Sequence, residues 1–511
     1  MNGLPSISDL ISTPDSMARA TAELILIPSP AMGHVAGMLE FAKLLIKRSE
    51  NLYITVVIIK LPDYIDSVSG TFVDAVIGSA QESRLRFFHL PPTDPASEWS
   101  SKTRGHFVYR LVQSQRNHLR DFFQQRRRRC GFDSDSPGIV GVVVDMLATP
   151  LMEVAEDFGI PSYVFFTSGV AFLGLMLHFQ VLQDEKGEDV SELVNSLTEL
   201  SFPSYDNSVP ASVLPMVLVD KETWLGRFVC FARDYRKAKG IIVNTFASLE
   251  SHAITAYKST TEQQPPLPPL HTVGPIVNQT RTISGESASV SNWDWLMSWL
   301  DEQPPESVVF VCFGSQGSLP ENQVREIAAG LERSGCRFLW SLRRPPQRDS
   351  DNNKAQFPGE YADYNDILPD GFLHRTAGTG KVVGWVPQLE ILSHRAVGGF
   401  VSHCGWNSIL ESIWCGVPIA TWPVHSEQQV NAFQLVRELG MAVEISLDYC
   451  ERSVNGGGGE MVTAAKIERG IKGVMEKESE VRKKVKMMQE ESRRAWEDGS
   501  SISTLIAQFT N

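Results

Sequence analysis

The chain has 511 residues, more than one ordinary hydrophobic core accommodates, so its length predicts two domains. Apolar residues make up 42% and charged residues 21%, which is typical of a soluble globular protein and excludes a disordered or fibrous one. The net charge of −13 argues against nucleic-acid binding, because the phosphate backbone binds to basic surfaces.

Cysteine usage and hydropathy predict a cytoplasmic protein. The seven cysteines are scattered and form no CxxC pair, which favours free thiols in a reducing compartment. Residues 163–182 form the longest apolar run. Polar residues such as Thr167 and Gln180 interrupt it, so it predicts a buried strand leading into a buried helix and no stable membrane insertion. Residues 1–21 lack a signal-peptide core and are predicted to be a disordered extension, with Met17 as an alternative start.

In the first half, runs rich in Val and Ile alternate with helical patterns. Strands are predicted at residues 23–29, 53–60, 86–90, 139–145, 162–166 and 241–246. One long helix is predicted at residues 105–129. Continuous apolar strands that alternate with helices indicate a parallel sheet covered on both faces. Neither G-x-G-x-x-G nor a P-loop lysine follows the first strand, which argues against a dehydrogenase or a phosphate-loop ATPase.

A proline-rich segment at residues 263–275 predicts the linker between the two domains. After it the alternating pattern starts again. Strands are predicted at residues 307–313, 337–342, 381–384, 398–402, 417–421 and 442–445. Three helices are predicted in the last part, at residues 463–476, 479–497 and 501–509. The fold class is therefore α/β, with two doubly wound domains.

The stretch from residue 385 to 428 contains two strand–loop–helix units. The loop at residues 403–408 opens a helix, and Asn407 and Ser408 are residue types that cap helix N-termini. Backbone N–H groups at such a turn lie at the positive end of a helix dipole, which favours a phosphate. Periodicity alone therefore predicts a nucleotide site in an α/β sheet, and the alternative is an ordinary buried segment.

The same stretch resembles the signature box of plant UDP-dependent glycosyltransferases over all 44 positions, and the resemblance extends over residues 22–511. It rests on matches in register at Trp385, Pro387, Gln388, His394, the run from His403 to Ser408, Glu411, the run from Gly416 to Pro418, Pro423, Glu427 and Gln428. The resemblance implies two facing Rossmann-like domains, the arrangement called GT-B. The first would span residues 22–275 and bind the acceptor, and the second would span 276–485 and bind the UDP-sugar. Helices at 486–511 would return to the first domain.

The resemblance also implies the residues of the UDP-sugar site. Trp385 would stack on uracil, Val386 and Gln388 would contact the base and ribose, and Glu411 would accept from the ribose hydroxyls. The residues that match the family's diphosphate and sugar contacts are Ser315, His403, Asn407 and Ser408 for the diphosphate, and Thr167, Trp406, Glu427 and Gln428 for the sugar. In the family, Gln at the last box position usually accompanies glucose. His425 departs from the Tyr or Phe often found there, which changes the polarity of the site wall.

His34 and Asp145 are the candidate catalytic residues. Each follows or ends a buried strand, and functional groups of an open parallel sheet lie just past the carboxyl ends of its strands. From the residues alone, His34 could equally cap the helix beside it, and Asp145 could be an N-cap for the helix after Thr149. The resemblance implies that His34 is the general base and that Asp145 orients it and stabilises its imidazolium form.

The function expected from this resemblance is inverting transfer of glucose from UDP-glucose to a hydroxyl of a small hydrophobic acceptor, phenolic or flavonoid. UDP-glucose would be a co-substrate, with no other cofactor and no metal, since the histidines and cysteines near position 400 fit no zinc spacing. A terpenoid or hormone acceptor, another sugar, or a nucleotide-sugar-binding protein without turnover are the alternatives. We expect a monomer.

Overall fold

The computed structural model describes residues 22–61, 83–93, 104–130, 137–195, 199–221, 224–261, 266–277, 291–315, 317–345, 358–450 and 460–510. The predicted extension at residues 1–21 lies outside these ranges. So do residues 278–290, 346–357 and 451–459.

The first half of the chain forms a parallel sheet of seven strands. Their order is β3-β2-β1-β4-β5-β8-β9, so the chain reverses direction across the sheet between β1 and β4. The register joins Ile27 of β1 to Val144 of β4. The strands are β1 (Ala22–Ile27), β2 (Leu52–Ile58), β3 (Leu85–His89), β4 (Gly138–Asp145), β5 (Ser162–Phe166), β8 (Gly240–Val243) and β9 (Leu270–Thr272). Two short strands, β6 (Glu199–Leu200) and β7 (Val209–Pro210), pair antiparallel outside this sheet.

The second half repeats the plan with six parallel strands. Their order is β12-β11-β10-β13-β14-β15, and the reversal lies between β10 and β13. Cys312 of β10 lies beside Ser402 of β13. The strands are β10 (Val308–Cys312), β11 (Arg337–Ser341), β12 (Gly380–Val383), β13 (Val397–Ser402), β14 (Ile419–Thr421) and β15 (Ala442–Glu444).

Helices cover both faces of each sheet. In the first half they are α1 (Met32–Arg48), α2 (Arg104–Ser114), α3 (Arg116–Cys130), α4 (Met152–Glu156), α5 (Val170–Asp184), α6 (Met216–Val219), α7 (Leu225–Tyr235) and α8 (Ser251–Thr261). In the second half they are α9 (Ser291–Asp301), α10 (Glu321–Ser334), α11 (Phe372–Arg375), α12 (Gln388–Leu392), α13 (Trp406–Cys415), α14 (Gln428–Phe433), α15 (Ala464–Met475), α16 (Glu480–Asp498) and α17 (Ser500–Thr510). A π-helical turn, Gln434–Glu438, follows α14 directly.

Several boundaries differ from the sequence prediction. The helix predicted at residues 105–129 is two helices, which separate at Gln115. The predicted linker contains the seventh strand of the first sheet, β9, which is only three residues long. The linker continues at Ile276, whose N–H and C=O both hydrogen-bond to the side chain of Asn244. The predicted domain border between residues 485 and 486 falls inside α16, which is unbroken.

The last helix, α17, packs against the first domain. Its buried residues Ile502, Leu505, Ile506 and Phe509 join a core that also contains α1 and one face of the first sheet. The ring of Phe509 meets that of Tyr163 of β5 edge to face, with centroids 5.0 Å apart. The helix α17 therefore belongs to the core of the first domain.

Candidate active site

The two reversal points face one another across a crevice. In an open parallel sheet, ligands bind beyond the carboxyl ends of the strands where the strand order reverses. The loops after β1 and β4 lie at that position in the first domain, and the loops after β10 and β13 occupy it in the second. Asn407 of the second domain donates to the carbonyl of Gly33 at 3.3 Å, so the two sets of loops touch.

The structure brings His34 and Asp145 together. His34 lies in the first turn of α1, and Asp145 is the last residue of β4. The Nδ1 atom of His34 is 2.8 Å from Oδ2 of Asp145. Asp145 is fully buried, whereas the His34 side chain keeps 25% of its surface exposed. The carboxylate therefore lies behind the imidazole, and the imidazole faces the crevice.

The second oxygen of Asp145 is also occupied. Its Oδ1 accepts from the hydroxyl of Ser29 at 2.6 Å and from the N–H of Leu147 at 3.0 Å. The helix after Thr149 has Ala148 as its N-cap, with no side-chain cap, so Asp145 is not its N-cap. Because Oδ2 of Asp145 is an acceptor, we assign the proton of the neutral imidazole to Nδ1 of His34. Its Nε2 then keeps the lone pair that a base needs.

Thr167 contacts the same imidazole. Its Oγ1 is 3.1 Å from Nδ1 of His34, on the side opposite to the predicted free Nε2. Burial by itself lowers the pKa of His34, but the charge and hydrogen bond of Asp145, followed by the charge of Glu427, raise it above its ordinary value. Glu427 belongs to the second domain, so both sides of the crevice act on this histidine.

In the second domain, the loop after β13 presents His403 next to the loop after β10. A Cβ on Gly314 would lie 2.7 Å from Nε2 of His403, and one on Gly405 would lie 2.6 Å from it. Gly314 also has a φ of +78°, which favours glycine. Ser315 follows in the same loop. The structure thus brings His403 and Ser315 to adjacent loops, next to the N-terminus of α13, where Asn407 and Ser408 lie.

His403 is a buried histidine that stays neutral. Burial, with a contribution from nearby His425, lowers its pKa to about 3. Its Nδ1 has no hydrogen-bond partner among the residues that the structure describes. Buried polar groups are nearly always satisfied, so an unsatisfied one at the start of a helix is suited to a polar ligand atom.

Gln388, Ser408 and Glu411 form one hydrogen-bonded group. The Nε2 of Gln388 donates to Oγ of Ser408 at 2.8 Å and to Oε2 of Glu411 at 2.7 Å. Burial raises the pKa of Glu411 to about 7, although the bond from Gln388 lowers it. Trp385 and Val386 follow β12 on the same side of the sheet, and Glu360 accepts from the N–H of Trp385 at 3.2 Å.

The indole of Trp406 contacts the first domain. Its Nε1–H donates to the carbonyl of Asn244 at 2.8 Å, and its ring lies against Gly169, where a Cβ would be 2.9 Å away. The indole therefore joins the two domains. Trp406 is also the first residue of α13, so its backbone N–H lies at the N-terminus of that helix.

Glu427 and Gln428 lie at the start of α14. Glu427 accepts from the hydroxyl of Ser168 at 3.3 Å, across the crevice, and burial raises its pKa. Oε1 of Gln428 accepts from the backbone N–H groups of Val424, at 2.9 Å, and His425, at 3.0 Å. Because both neighbours are donors, the oxygen must face them, and the amide nitrogen is the group left for another partner.

Two buried polar residues escaped the sequence analysis. Glu250 accepts from the N–H groups of Val170 and Ala171 at 2.9 and 3.0 Å, and so caps α5. The carbonyl of Asn244 accepts from Trp406, as described above. Neither belongs to a motif, and the only sequence signal was a polar residue shortly after a buried strand. The ring of Phe165, the neighbour of Phe166 in β5, stacks on Phe41 in the core, with centroids 4.9 Å apart.

Among the described residues, no group of three or more His, Cys, Asp or Glu side chains is placed to hold a metal ion. Six described cysteines are free thiols. The helices within the described ranges include none that is long and apolar enough to cross a membrane.

The fold and site define a two-domain GT-B protein with a histidine–carboxylate pair facing a nucleotide-type loop. The family described as "UDP-glucoronosyl and UDP-glucosyl transferase" matches residues 296–454. The chain is 47% identical to UDP-glucose flavonoid 3-O-glucosyltransferase 6 of Fragaria ananassa over 95% of its own length and 98% of that protein. The chain belongs to this family and is a UDP-glycosyltransferase.

Solved structures agree with this assignment. UGT71G1 of Medicago truncatula, complexed with UDP-glucose, is 38% identical, with a TM-score of 0.82 over 96% of this chain and 99% of that one. A UGT transferase from Siraitia grosvenorii in complex with UDP is 40% identical, with a TM-score of 0.81 over 96% of this chain and 100% of that one. These neighbours confirm the predicted GT-B fold.

Proposed function

We propose that this enzyme transfers glucose from UDP-glucose to a hydroxyl of a small hydrophobic acceptor, phenolic or flavonoid, with inversion at the anomeric carbon. The observation that carries the proposal is the 2.8 Å contact between His34 and the buried Asp145, open on its other side to the crevice. The Fragaria relative, named as a UDP-glucose flavonoid 3-O-glucosyltransferase, supports the donor and the acceptor class.

In this reaction His34 is the general base. Its Nε2 takes the proton of the acceptor hydroxyl while the hydroxyl oxygen bonds to the anomeric carbon. The bond from that carbon to UDP breaks in line, and UDP leaves with the electron pair. A phenol has a pKa near 10, so a positioned imidazole is an adequate base. The buried carboxylate of Asp145 stabilises the imidazolium that forms, as its effect on the pKa of His34 implies.

The leaving UDP is held by protein groups, with no metal in the proposal. The N-terminus of α13 and the unsatisfied ring nitrogen of His403 favour the diphosphate. Glu411 accepts from the ribose hydroxyls. At the sugar, Glu427 accepts from hydroxyls and Gln428 donates through its free amide nitrogen. A site that pairs particular hydroxyls disfavours a sugar in which one of them is misplaced.

The alternatives differ in acceptor, sugar or turnover. A terpenoid or hormone acceptor or another sugar would keep the same base, whereas a binding protein without turnover would not need it. The hydrogen bonds that hold Asp145 favour turnover, since they order a proton acceptor that binding alone does not require. We further propose that the enzyme works as a cytoplasmic monomer.

The first test is a donor and acceptor panel with the purified protein. We expect the highest kcat/KM with UDP-glucose among UDP-glucose, UDP-galactose, UDP-xylose and UDP-glucuronate, and O-glucosides of phenols or flavonoids as products. UDP release together with product mass gives the reaction. A higher kcat/KM with another donor would overturn the glucose assignment and leave the fold standing.

The second test separates the base from donor binding. We expect His34→Ala to lower kcat by roughly 10²–10⁴-fold, the usual contribution of a general base, while calorimetric UDP affinity stays within a factor of two or so of wild type. His374→Ala, which removes an exposed histidine of α11, is the matched control. Near-normal turnover by His34→Ala on an alcohol acceptor would contradict the mechanism.

A further inference from the structure

The helix that starts at the predicted sugar contacts ends in an unusual way. α14 begins just after Glu427 and passes without interruption into the π-helical turn Gln434–Glu438. π-Helical turns are rare and are found disproportionately at functional sites. Both polar ends of this turn reach the first domain. Gln434 donates to the buried carboxylate of Glu250 at 3.3 Å, and Glu438 contacts residues 206 and 207.

The carboxylate of Glu438 accepts three hydrogen bonds from Asp206 and Asn207. Its Oε2 accepts from the backbone N–H of Asp206 at 2.8 Å, and its Oε1 accepts from the backbone N–H and the side-chain amide of Asn207, each at 2.8 Å. Hydrogen bonds to a carboxylate are stronger than neutral ones. Asp206 and Asn207 are exposed, so water would satisfy the same N–H groups without Glu438. The contact therefore fixes a position and is not needed to avoid a buried unpaired group.

The segment held in this way, residues 202–207, is termed the strap. On one side it packs on α5 of the first domain, where the ring of Phe202 lies 5.8 Å from that of Phe179. Ser204 lies over Gly174, at which a Cβ would come within 2.6 Å of the serine Cβ. On the other side, the ring of Tyr205 meets Phe433 of α14 edge to face, at 6.1 Å. The strap thus bridges the two domains.

The strap also lies close to the reacting end of the crevice. Tyr205 is buried, and its ring contacts Phe433 of α14, the helix that begins after Glu427. Glu427 is the residue that meets Ser168 beside the catalytic loop. α5 begins directly after the segment of Thr167 and Ser168. The strap therefore packs on α5 and α14, the two helices whose N-terminal ends form the wall of the crevice at Ser168 and Glu427.

We propose that Glu438 is a positioning residue that clamps the strap against the donor domain and thereby sets which acceptors fit beside His34. This inference rests on the proposed function for its consequence, but the clamp itself is a property of the fold. Because the clamp acts on the acceptor wall and not on the UDP loops, its loss should raise the acceptor KM and relax discrimination by acceptor size. The KM for UDP-glucose should not change.

The kinetic test compares Glu438→Ala and Glu438→Gln with wild type. Gln keeps one acceptor oxygen for the strap and should recover part of the effect. For Glu438→Ala we expect the acceptor KM to rise roughly three- to tenfold, the range for a partly exposed charged contact, with the largest acceptors affected least. Glu444→Ala is the matched control, because Glu444 pairs with Arg437 of the same turn. An unchanged acceptor KM, or an equal rise in the KM for UDP-glucose, would overturn the proposal.

A second measurement does not depend on activity. Hydrogen exchange at the amides of Asp206 and Asn207 should be protected in wild type and in Glu444→Ala, and at least about tenfold faster in Glu438→Ala. Exchange at the unprotected rate in wild type would show that the clamp does not exist. Protection without any glucosyl transfer would refute the proposed function and leave the clamp standing, so the two failures are distinguishable.

Discussion

The two points at which the strand order reverses have the same topology, but they differ in whether their buried polar atoms have hydrogen-bond partners. After β1 and β4, both oxygens of Asp145 have partners and the imidazole of His34 is held in one tautomer. After β10 and β13, the Nδ1 of His403 is buried with no partner among the described residues. The first arrangement is complete in the protein alone, whereas the second has a polar atom that a bound group would satisfy. The comparison teaches that the base is preorganised and that the donor loop is shaped to be completed by its ligand.

Asp145→Asn should have the largest effect on activity, because it disrupts the pair of His34 and Asp145. The amide removes the charge that raises the pKa of His34, and it favours the wrong tautomer. We expect kcat to fall by roughly 10³–10⁴-fold, near the upper range for this type of pair, with UDP affinity unchanged. Single-turnover rates and calorimetry measure the two quantities. A comparable loss of UDP affinity would show that Asp145 supports the donor site as well.

Gln428→Glu should weaken the recognition of the sugar at the second reversal point. The carboxylate can still accept from the N–H groups of Val424 and His425, but it loses the amide donor. We expect kcat/KM for UDP-glucose to fall about 10–100-fold, the usual cost of one lost hydrogen bond to a substrate plus an unpaired charge, while UDP itself binds as before. If UDP affinity falls to the same degree, Gln428 acts through the fold of the loop and not through the sugar.

Glu411 gives the donor site a pH dependence. Burial raises the pKa of its carboxyl to about 7, so it is ionised above that pH and protonated below it. The carboxylate accepts more strongly from ribose hydroxyls than the protonated carboxyl, in which one oxygen carries a proton and donates. UDP affinity should therefore fall by at most about tenfold per pH unit as the pH drops below 7. The Glu411→Gln variant should bind UDP more weakly than wild type at pH 8, and its UDP affinity should not fall as the pH drops below 7. A flat profile for wild-type UDP binding would contradict the assignment.

The smallest expected effect lies where the two regions meet. Asp145 and Glu427 outweigh the lowering effect of burial and raise the pKa of His34 above 6.5, and a base must be neutral to act. Activity should therefore fall as the pH decreases through that raised value. Glu427→Gln removes one of the raising charges and should move the acid limb of log(kcat/KM) to lower pH, by less than about one unit. An acid limb that does not move would indicate that Glu427 is screened from His34.

The contiguous part of the site was readable from a local sequence pattern, whereas the dispersed part needed more than a local pattern. The box at residues 385–428 carries most donor residues in one register, so a local pattern predicted them together. The pairing of His34 with Asp145 joins residues 111 positions apart; the strand ends indicated both residues, and the family resemblance implied that they pair. The contacts of Trp406 with Asn244 and of Glu438 with the strap depend on how the domains meet, which no local pattern encodes.

Some errors have local physical causes. β9 was hidden because three residues between prolines give too little alternation for a strand signal. Phe165 and Phe166 are adjacent in β5, so their rings point to opposite faces of the sheet. The sequence could not tell which face carries the acceptor. In the structure Phe165 joins the core with α1, and Phe166 joins the core on the other face.

The position of α17 has a consequence for biosynthesis. The apolar surface of α1 and the first sheet that α17 covers is synthesised before the second domain, whereas α17 is synthesised after it. At roughly 5–20 residues per second, the ribosome needs on the order of half a minute to a minute and a half to translate the chain between α1 and α17. During that time the nascent first domain exposes this apolar surface, to which chaperones can bind. Removal of α17 would therefore expose apolar surface of the first domain and destabilise it.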